Sequence, residues 1–182
     1  MAARAVAGPL AQLPNALTVA RLVLIPVFVA LVLAAEDGHT VAGAIVFAAA
    51  GVTDQVDGWL ARRWHVESAF GKVADPLADR LMIDAAVLLL WWEDRLPWVA
   101  LAIPARDVAL IVGYKLVVGR GYDFQVNLAG KAATWLLYAS LALLMVTHAG
   151  TDWPLWIFWT GVGLALAAGA QYIVTALRTV RR

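Results

Sequence analysis

Asp54, Asp57, Asp75 and Asp79 are the residues whose type and spacing best suit chemistry. Asp54 and Asp57 stand three residues apart, and Asp75 and Asp79 four apart. On helices, either spacing puts both carboxylates on one face. If a short loop makes the two helices antiparallel neighbours, all four carboxylates converge at one end of the pair. Like charges brought together repel unless cations sit between them. The chain has no cysteine, so the donor set is oxygen alone and suits hard ions such as Mg²⁺, Mn²⁺ or Ca²⁺. Paired metals held in this way neutralise phosphates. The neighbouring residues fit a phosphate substrate. Gly58 and Gly71 permit close backbone approach, Arg62 offers a bidentate fork, and Pro76 suits the first turn of a helix. The plainer alternative is four solvated helix ends paired with Arg62, Arg63 and Arg80, which leaves the joint spacing unexplained.

The elements that must position these residues follow from composition. The 182 residues are 63% hydrophobic and 15% charged, with a mean hydropathy of +0.77. So few charges cannot cover the surface of a soluble protein this size, and a bilayer is the simplest solvent for it. A membrane helix needs about 20 mostly apolar residues. Six stretches qualify, near 17–35, 41–60, 76–92, 97–118, 130–146 and 153–177. The expected fold is therefore an all-α integral membrane protein of six transmembrane helices, read as a single domain over 1–182 with the aspartate motif at 54–79. Carboxylates in such a setting are costly and rarely idle. A net charge of +1 does not suggest nucleic-acid binding. Arg4 is not followed by a short apolar stretch with a cleavage site, so no removable signal peptide is expected.

Basic residues choose the orientation. Arg4, then Arg62, Arg63 and Lys72, then Arg120 and Lys131, then Arg178, Arg181 and Arg182 fall on one side. The opposite connections hold Glu36, Asp37, Glu93, Asp94, Arg95 and Asp152. The positive-inside rule puts both termini and the aspartates at the cytoplasmic face. Trp91, Trp92, Trp98, Trp153 and Trp156 gather at the expected outer interface, where indoles anchor. His39 and His148 read as ordinary residues of the outer connections, whereas His65 lies in the cytoplasmic loop, closer to a substrate. Small residues in the second span (Ala48 to Gly51) and the sixth (Gly161, Gly163, Ala165, Ala167, Ala168, Gly169) allow close helix packing.

The pattern Asp54-x2-Asp57-Gly58-x2-Ala61-Arg62-x8-Gly71-x3-Asp75-x3-Asp79 resembles the signature of the CDP-alcohol phosphotransferase family with every spacing intact. Pro14-Asn15-x-Leu17-Thr18-x2-Arg21, Pro26, Phe70-Gly71-Lys72 and Asp75-Pro76-Leu77-Ala78-Asp79-Arg80 are similar to bacterial phosphatidylglycerophosphate synthases. The likeness covers about 14–135. It implies a six-helix enzyme of a bacterial inner or plasma membrane, usually a homodimer, with a polar cavity open to the cytoplasm. Such an enzyme transfers a phosphatidyl group from CDP-diacylglycerol to an alcohol and releases CMP. By position, Asp54, Asp57, Asp75 and Asp79 would hold Mg²⁺ or Mn²⁺ in a two-metal site. Asp54, Gly58, Ala61, Arg62 and Gly71 would bind the CDP donor, and Asp79 would be the base that deprotonates the acceptor.

The remaining charges bear on the acceptor. Arg21, Arg106 and Lys131 are expected to line the cavity and bind an anionic alcohol such as glycerol 3-phosphate. For Arg106–Asp107 the plain alternative is compensation with another buried charge such as Asp84. In Gly130-Lys131-Ala132-Ala133-Thr134, Ala133 stands where phosphatidylglycerophosphate synthases usually carry a further lysine. That form resembles actinobacterial cardiolipin-synthase-like members, whose acceptor is phosphatidylglycerol, while inositol phosphates are a more distant option. A transporter would spread acids along a path, but here they gather at one face. A non-catalytic scaffold leaves the aspartate set without a purpose.

Overall fold

In an apolar solvent a backbone must hydrogen-bond within itself, and a helix does so segment by segment. The computed structural model describes residues 13–64, 71–117 and 128–180, with side chains at 16–54, 56, 77–109 and 130–171. These residues form α1 (Leu13–Leu33), α2 (Val41–Trp64), α3 (Gly71–Trp92), α4 (Ala102–Val117), α5 (Leu128–Val146) and α6 (Trp153–Val180). Two short 3₁₀ turns, Glu36–Gly38 and Trp98–Leu101, complete them, and no strand occurs among the described residues. Each expected span corresponds to one helix. Their ends differ, because hydropathy marks an apolar stretch whereas hydrogen bonding carries a helix on into charged sequence. α2 runs on to Trp64, and α3 begins at Gly71, so Pro76 lies beyond the first turn rather than in it.

Within α1 and α6, Ala16–Leu33 and Trp153–Gln171 are long and apolar enough to cross a membrane. The apolar stretches of α2 and α5 are shorter, Val41–Asp54 and Gly130–Val146. Val19, Val23, Val27, Ile45, Val52, Leu81, Leu88 and Val108 are exposed, while Thr18, Arg21, Asp107 and Ser140 are buried. Aliphatic groups outside and charges inside invert the usual soluble pattern and suit a lipid-facing bundle.

α5 packs most extensively on α6, α1 on α2 and α3, and α2 on α5; α4 rests on α3 with fewer contacts. The core includes Phe28, Phe47, Met82, Leu90, Leu141, Met145 and Phe158. Of the small residues expected to bring helices together, Gly161 does so. A Cβ there would lie 3.1 Å from Leu136 Cβ and 3.3 Å from the Leu137 backbone nitrogen. Gly163 and Gly169 face open space.

The three connections at one end of the bundle are tied together. Thr40 Oγ1 accepts from the Gly43 N–H at 3.0 Å and so caps the start of α2. The Thr40 N–H donates to the Met145 carbonyl at the end of α5. Arg95, itself buried, donates to the carbonyls of Leu144 (2.6 Å), Thr147 (2.8 Å) and Asp37 (3.2 Å). One guanidinium thus answers carbonyls that a helix end leaves open. His39 and His148 stand in these connections as expected, but they also stack, with centroids 4.8 Å apart and planes 2° from parallel. They border a cavity of about 400 Å³ also lined by Glu36, Asp37, Arg95 and Ala149. Trp92, Trp98, Trp153 and Trp156 are exposed around this end.

Arg95→Ala should lower the unfolding free energy in detergent by about 2–4 kcal/mol, because buried carbonyls lose a charged donor. Arg95→Lys should recover less than half of that, since an ammonium cannot span three carbonyls from one position. Thermal unfolding checks both variants, and an unchanged midpoint for Arg95→Ala would show that the tie does not hold this end together.

Candidate active site

Four helices each bring one polar side chain to a common region. Arg21 comes from α1, Asp54 from α2, Asp79 from α3 and Tyr138 from α5. Arg21 Nη1 lies 2.6 Å from Asp54 Oδ1, and the Arg21 side chain has no exposed surface while that of Asp54 is 21% exposed. The Tyr138 hydroxyl donates to Asp79 Oδ1 at 2.8 Å. Asp79 and Tyr138 both lie within electrostatic reach of Arg21, and Tyr138 also within reach of Asp54. Arg21 thus pairs with Asp54 of α2 and acts electrostatically on Asp79 of α3. The cation paired with Asp54 is Arg21, while the side chains of Arg62 and Arg63 lie outside the described residues.

The sequence explains why these groups meet. In α1, Thr18 and Arg21 are buried, as is Phe28 two turns further on, so one stripe of an otherwise apolar helix turns inward. In α3, Ala78, Met82 and Ala86 are buried around Asp79, so the carboxylate shares the face that packs inward.

Asp57, Gly58, Ala61 and Arg62 ride on α2, and Gly71 and Asp75 on α3, but their side chains lie outside the described residues, and His65 lies there entirely. Among the described residues, no three His, Asp or Glu side chains gather closely enough to hold a metal ion. What is described suits a hard cation nonetheless. Asp54 pairs with a buried guanidinium that also acts electrostatically on Asp79, so the carboxylates here draw positive charge.

A second polar cluster lies on the α4 side of α3. Arg80 Nη1 pairs with Asp107 Oδ1 at 2.9 Å, and Arg106 Nε lies 3.5 Å from the same oxygen. Asp107 is buried. The compensation expected for Arg106–Asp107 therefore exists: Arg80 pairs with Asp107, and Asp84 lies within electrostatic reach of Arg80 and Arg106. Asp84 Oδ1 and Arg106 Nε are buried atoms without a hydrogen-bond partner among the described residues. Of the three cations expected to bind an acceptor, Arg21 is tied to Asp54, Arg106 belongs to this second cluster, and Lys131 is exposed on α5. Tyr138 was not singled out from sequence. A tyrosine in an apolar helix reads as core, and its partner is 59 residues away.

Comparison with known proteins places the chain in a family. A cardiolipin synthase (CMP-forming) of Streptomyces coelicolor is 38% identical, the match covering 93% of this chain and 84% of the relative. A CDP-diacylglycerol–glycerol-3-phosphate 3-phosphatidyltransferase of Bacillus subtilis is 35% identical over 88% of this chain and 93% of its own. The protein of that name from Escherichia coli K12 is 30% identical over 92% of each. The CDP-alcohol phosphatidyltransferase family matches residues 11–167. With the full aspartate motif present in the sequence and these matches across most of its length, the chain belongs to the CDP-alcohol phosphatidyltransferase family.

Proposed function

We propose that this chain transfers a phosphatidyl group from CDP-diacylglycerol to glycerol 3-phosphate and releases CMP. One observation supports the reading above the others: Asp54 and Asp79, from separate helices of the motif, are tied inside an apolar bundle to Arg21 and Tyr138 respectively, and Arg21 acts electrostatically on Asp79. The relatives from Bacillus subtilis and Escherichia coli carry this activity in their names. The unit is read as one catalytic domain over 1–182, acting as a homodimer. Six helices span a bacterial inner or plasma membrane, with both termini and the site facing the cytoplasm, where the basic connections fall.

In this reading Asp79 takes the proton from the acceptor hydroxyl. The freed oxygen forms a bond to the phosphorus that bears the lipid, and the bond from that phosphorus to the CMP oxygen breaks. CMP leaves with the electron pair. Asp54, Asp57, Asp75 and Asp79 would hold Mg²⁺ or Mn²⁺, which when bound supplies charge neutralisation at the pyrophosphate. Asp54, Gly58, Ala61, Arg62 and Gly71 bind the cytidine diphosphate portion. Arg106 and Lys131, with Arg21, receive the anionic acceptor. Positioning and charge neutralisation do most of the work in such transfers.

A second acceptor is favoured by one position. Ala133 is buried at 2% exposure, so a small apolar side chain fills the place of a possible further lysine. A site with one cation fewer suits a phosphodiester of single charge better than a phosphate monoester, whose charge at neutral pH is about −1.5 to −2. Phosphatidylglycerol is such a phosphodiester, and the Streptomyces coelicolor relative is named for cardiolipin synthesis.

CMP release from CDP-diacylglycerol in detergent should require Mg²⁺ or Mn²⁺ and an acceptor. Absence of metal-dependent CMP with every acceptor tried would remove the reading. Asp79→Asn should lower turnover by at least about 100-fold, in the range general-base catalysis contributes, while donor binding persists. Full activity in that variant would exclude Asp79 as the base. A panel of glycerol 3-phosphate, phosphatidylglycerol, inositol phosphate, inositol and serine, with product lipids identified by mass, decides the acceptor. Glycerol 3-phosphate is expected to give the fastest turnover, and preference for phosphatidylglycerol would replace the first acceptor by the second.

A further inference from the structure

A phenol buried among apolar side chains needs a partner for its hydroxyl. Tyr138 is 8% exposed, and its hydroxyl has that partner in Asp79 Oδ1. The ring's own placement is unusually constrained. On one side lies Gly51 of α2, where an added Cβ would sit 2.7 Å from both Cδ1 and Cε1 of the ring. Real Cβ atoms do not approach so closely, so the ring occupies a notch that any side chain at residue 51 would fill. On another side lies Phe47, with centroids 4.8 Å apart and planes inclined by 34°. Phe47 and Gly51 are four residues apart on α2 and so share one face. Phe47 is completely buried and is braced by Phe28 of α1, at 5.4 Å between centroids. A tyrosine hydroxyl lies in the plane of its ring and moves only when the ring moves. Clamping the ring therefore fixes the point from which Asp79 receives its hydrogen bond.

We propose that Tyr138, seated in the Gly51 notch, is a positioning residue that orients the Asp79 carboxylate for proton abstraction. One oxygen of Asp79 is held by the phenol, which stops the carboxylate from rotating about its Cβ–Cγ bond. The second oxygen is then presented in a fixed direction toward the acceptor hydroxyl. Reacting groups held within a narrow range of geometry gain rate, and small displacements lose it. The inference rests on the reading of Asp79 as the base.

The test uses the full chain in detergent, with CMP release measured over a range of CDP-diacylglycerol concentrations and the preferred acceptor saturating. Tyr138→Phe removes one oxygen and leaves the ring in its notch. Its kcat should fall about 10- to 100-fold, the usual effect of losing an orienting partner, with the KM for CDP-diacylglycerol unchanged. Gly51→Ala should lower kcat in the same way by displacing the ring. Once the hydroxyl is gone, moving the ring has nothing further to misplace. The double variant Gly51→Ala/Tyr138→Phe should therefore be no slower than the slower single variant. Wild-type kcat in Tyr138→Phe overturns the proposal, as does a double variant whose loss is the product of the single losses. If Gly51→Ala does not fold, the kcat-against-KM split of Tyr138→Phe decides by itself. Asp79→Asn in the same assay separates this inference from its premise. Activity in that variant fells the reading of Asp79 as base. Inactivity there, beside wild-type kcat in Tyr138→Phe, fells the positioning role and leaves the base in place.

Discussion

Arg21 has no exposed surface in a bundle whose outer face is largely aliphatic, so its charge must be answered from within. That requirement fixes more than one contact. Asp54 answers Arg21 from α2, and Asp79 lies within its reach from α3. Asp79 in turn satisfies Tyr138 from α5. A rotation of any of these helices would leave a charge or a hydroxyl unpartnered in an apolar surrounding, at a cost of several kcal/mol. The polar groups thus specify which faces of α1, α2, α3 and α5 meet, and the aromatic series Phe28, Phe47, Tyr138 fills the space beside them.

α3 serves two polar clusters because adjacent residues on a helix diverge by about 100°. Asp79 faces α1 and α5, whereas Arg80 faces α4 and pairs with Asp107. The same ion pair that holds α4, the most lightly packed helix among the described residues, therefore also opposes rotation of α3 about its axis. Asp79 cannot turn from Tyr138 without drawing Arg80 from Asp107. Arg106 is placed by this arrangement too, since its neighbour Asp107 is pinned from the far side.

The helices were legible in the sequence because a bilayer-length apolar run is a strong signal, and each of the six runs became one helix. Their ends were not, since α2 and α3 continue through charged residues where hydropathy falls. That the motif's acids bear on chemistry was legible from spacing, because i,i+3 and i,i+4 positions put each pair on one helix face. Which cation answers which acid was not. Arg21 and Asp54 are 33 residues apart, and Arg80 and Asp107 are 27 apart. Nothing local distinguishes Arg21 paired with an acid from Arg21 awaiting a phosphate. Tyr138 was hidden for a related reason: its ring matches the core around it, and its chemistry resides in a single oxygen whose partner is set by helix packing.

The two ends of the bundle are held by different kinds of bond, and the difference bears on turnover. At the His39–His148 end, the ties run to backbone carbonyls through Arg95 and Thr40. Those acceptors belong to the fold itself and do not change partners when a ligand arrives. Around Asp54 and Asp79 the ties run between side chains, and side-chain charges can exchange. Arg21 and Asp54 neutralise each other at rest. On the proposed function, Arg21 can turn to an anionic phosphate as Asp54 turns to a divalent cation. A metal–nucleotide donor brings both charges together, so the exchange leaves neither residue uncompensated. Tyr138 carries no charge to exchange, and its ring is held in the Gly51 notch beside Phe47. On the proposed function, its hydroxyl would give Asp79 a fixed reference while the charges around it change hands.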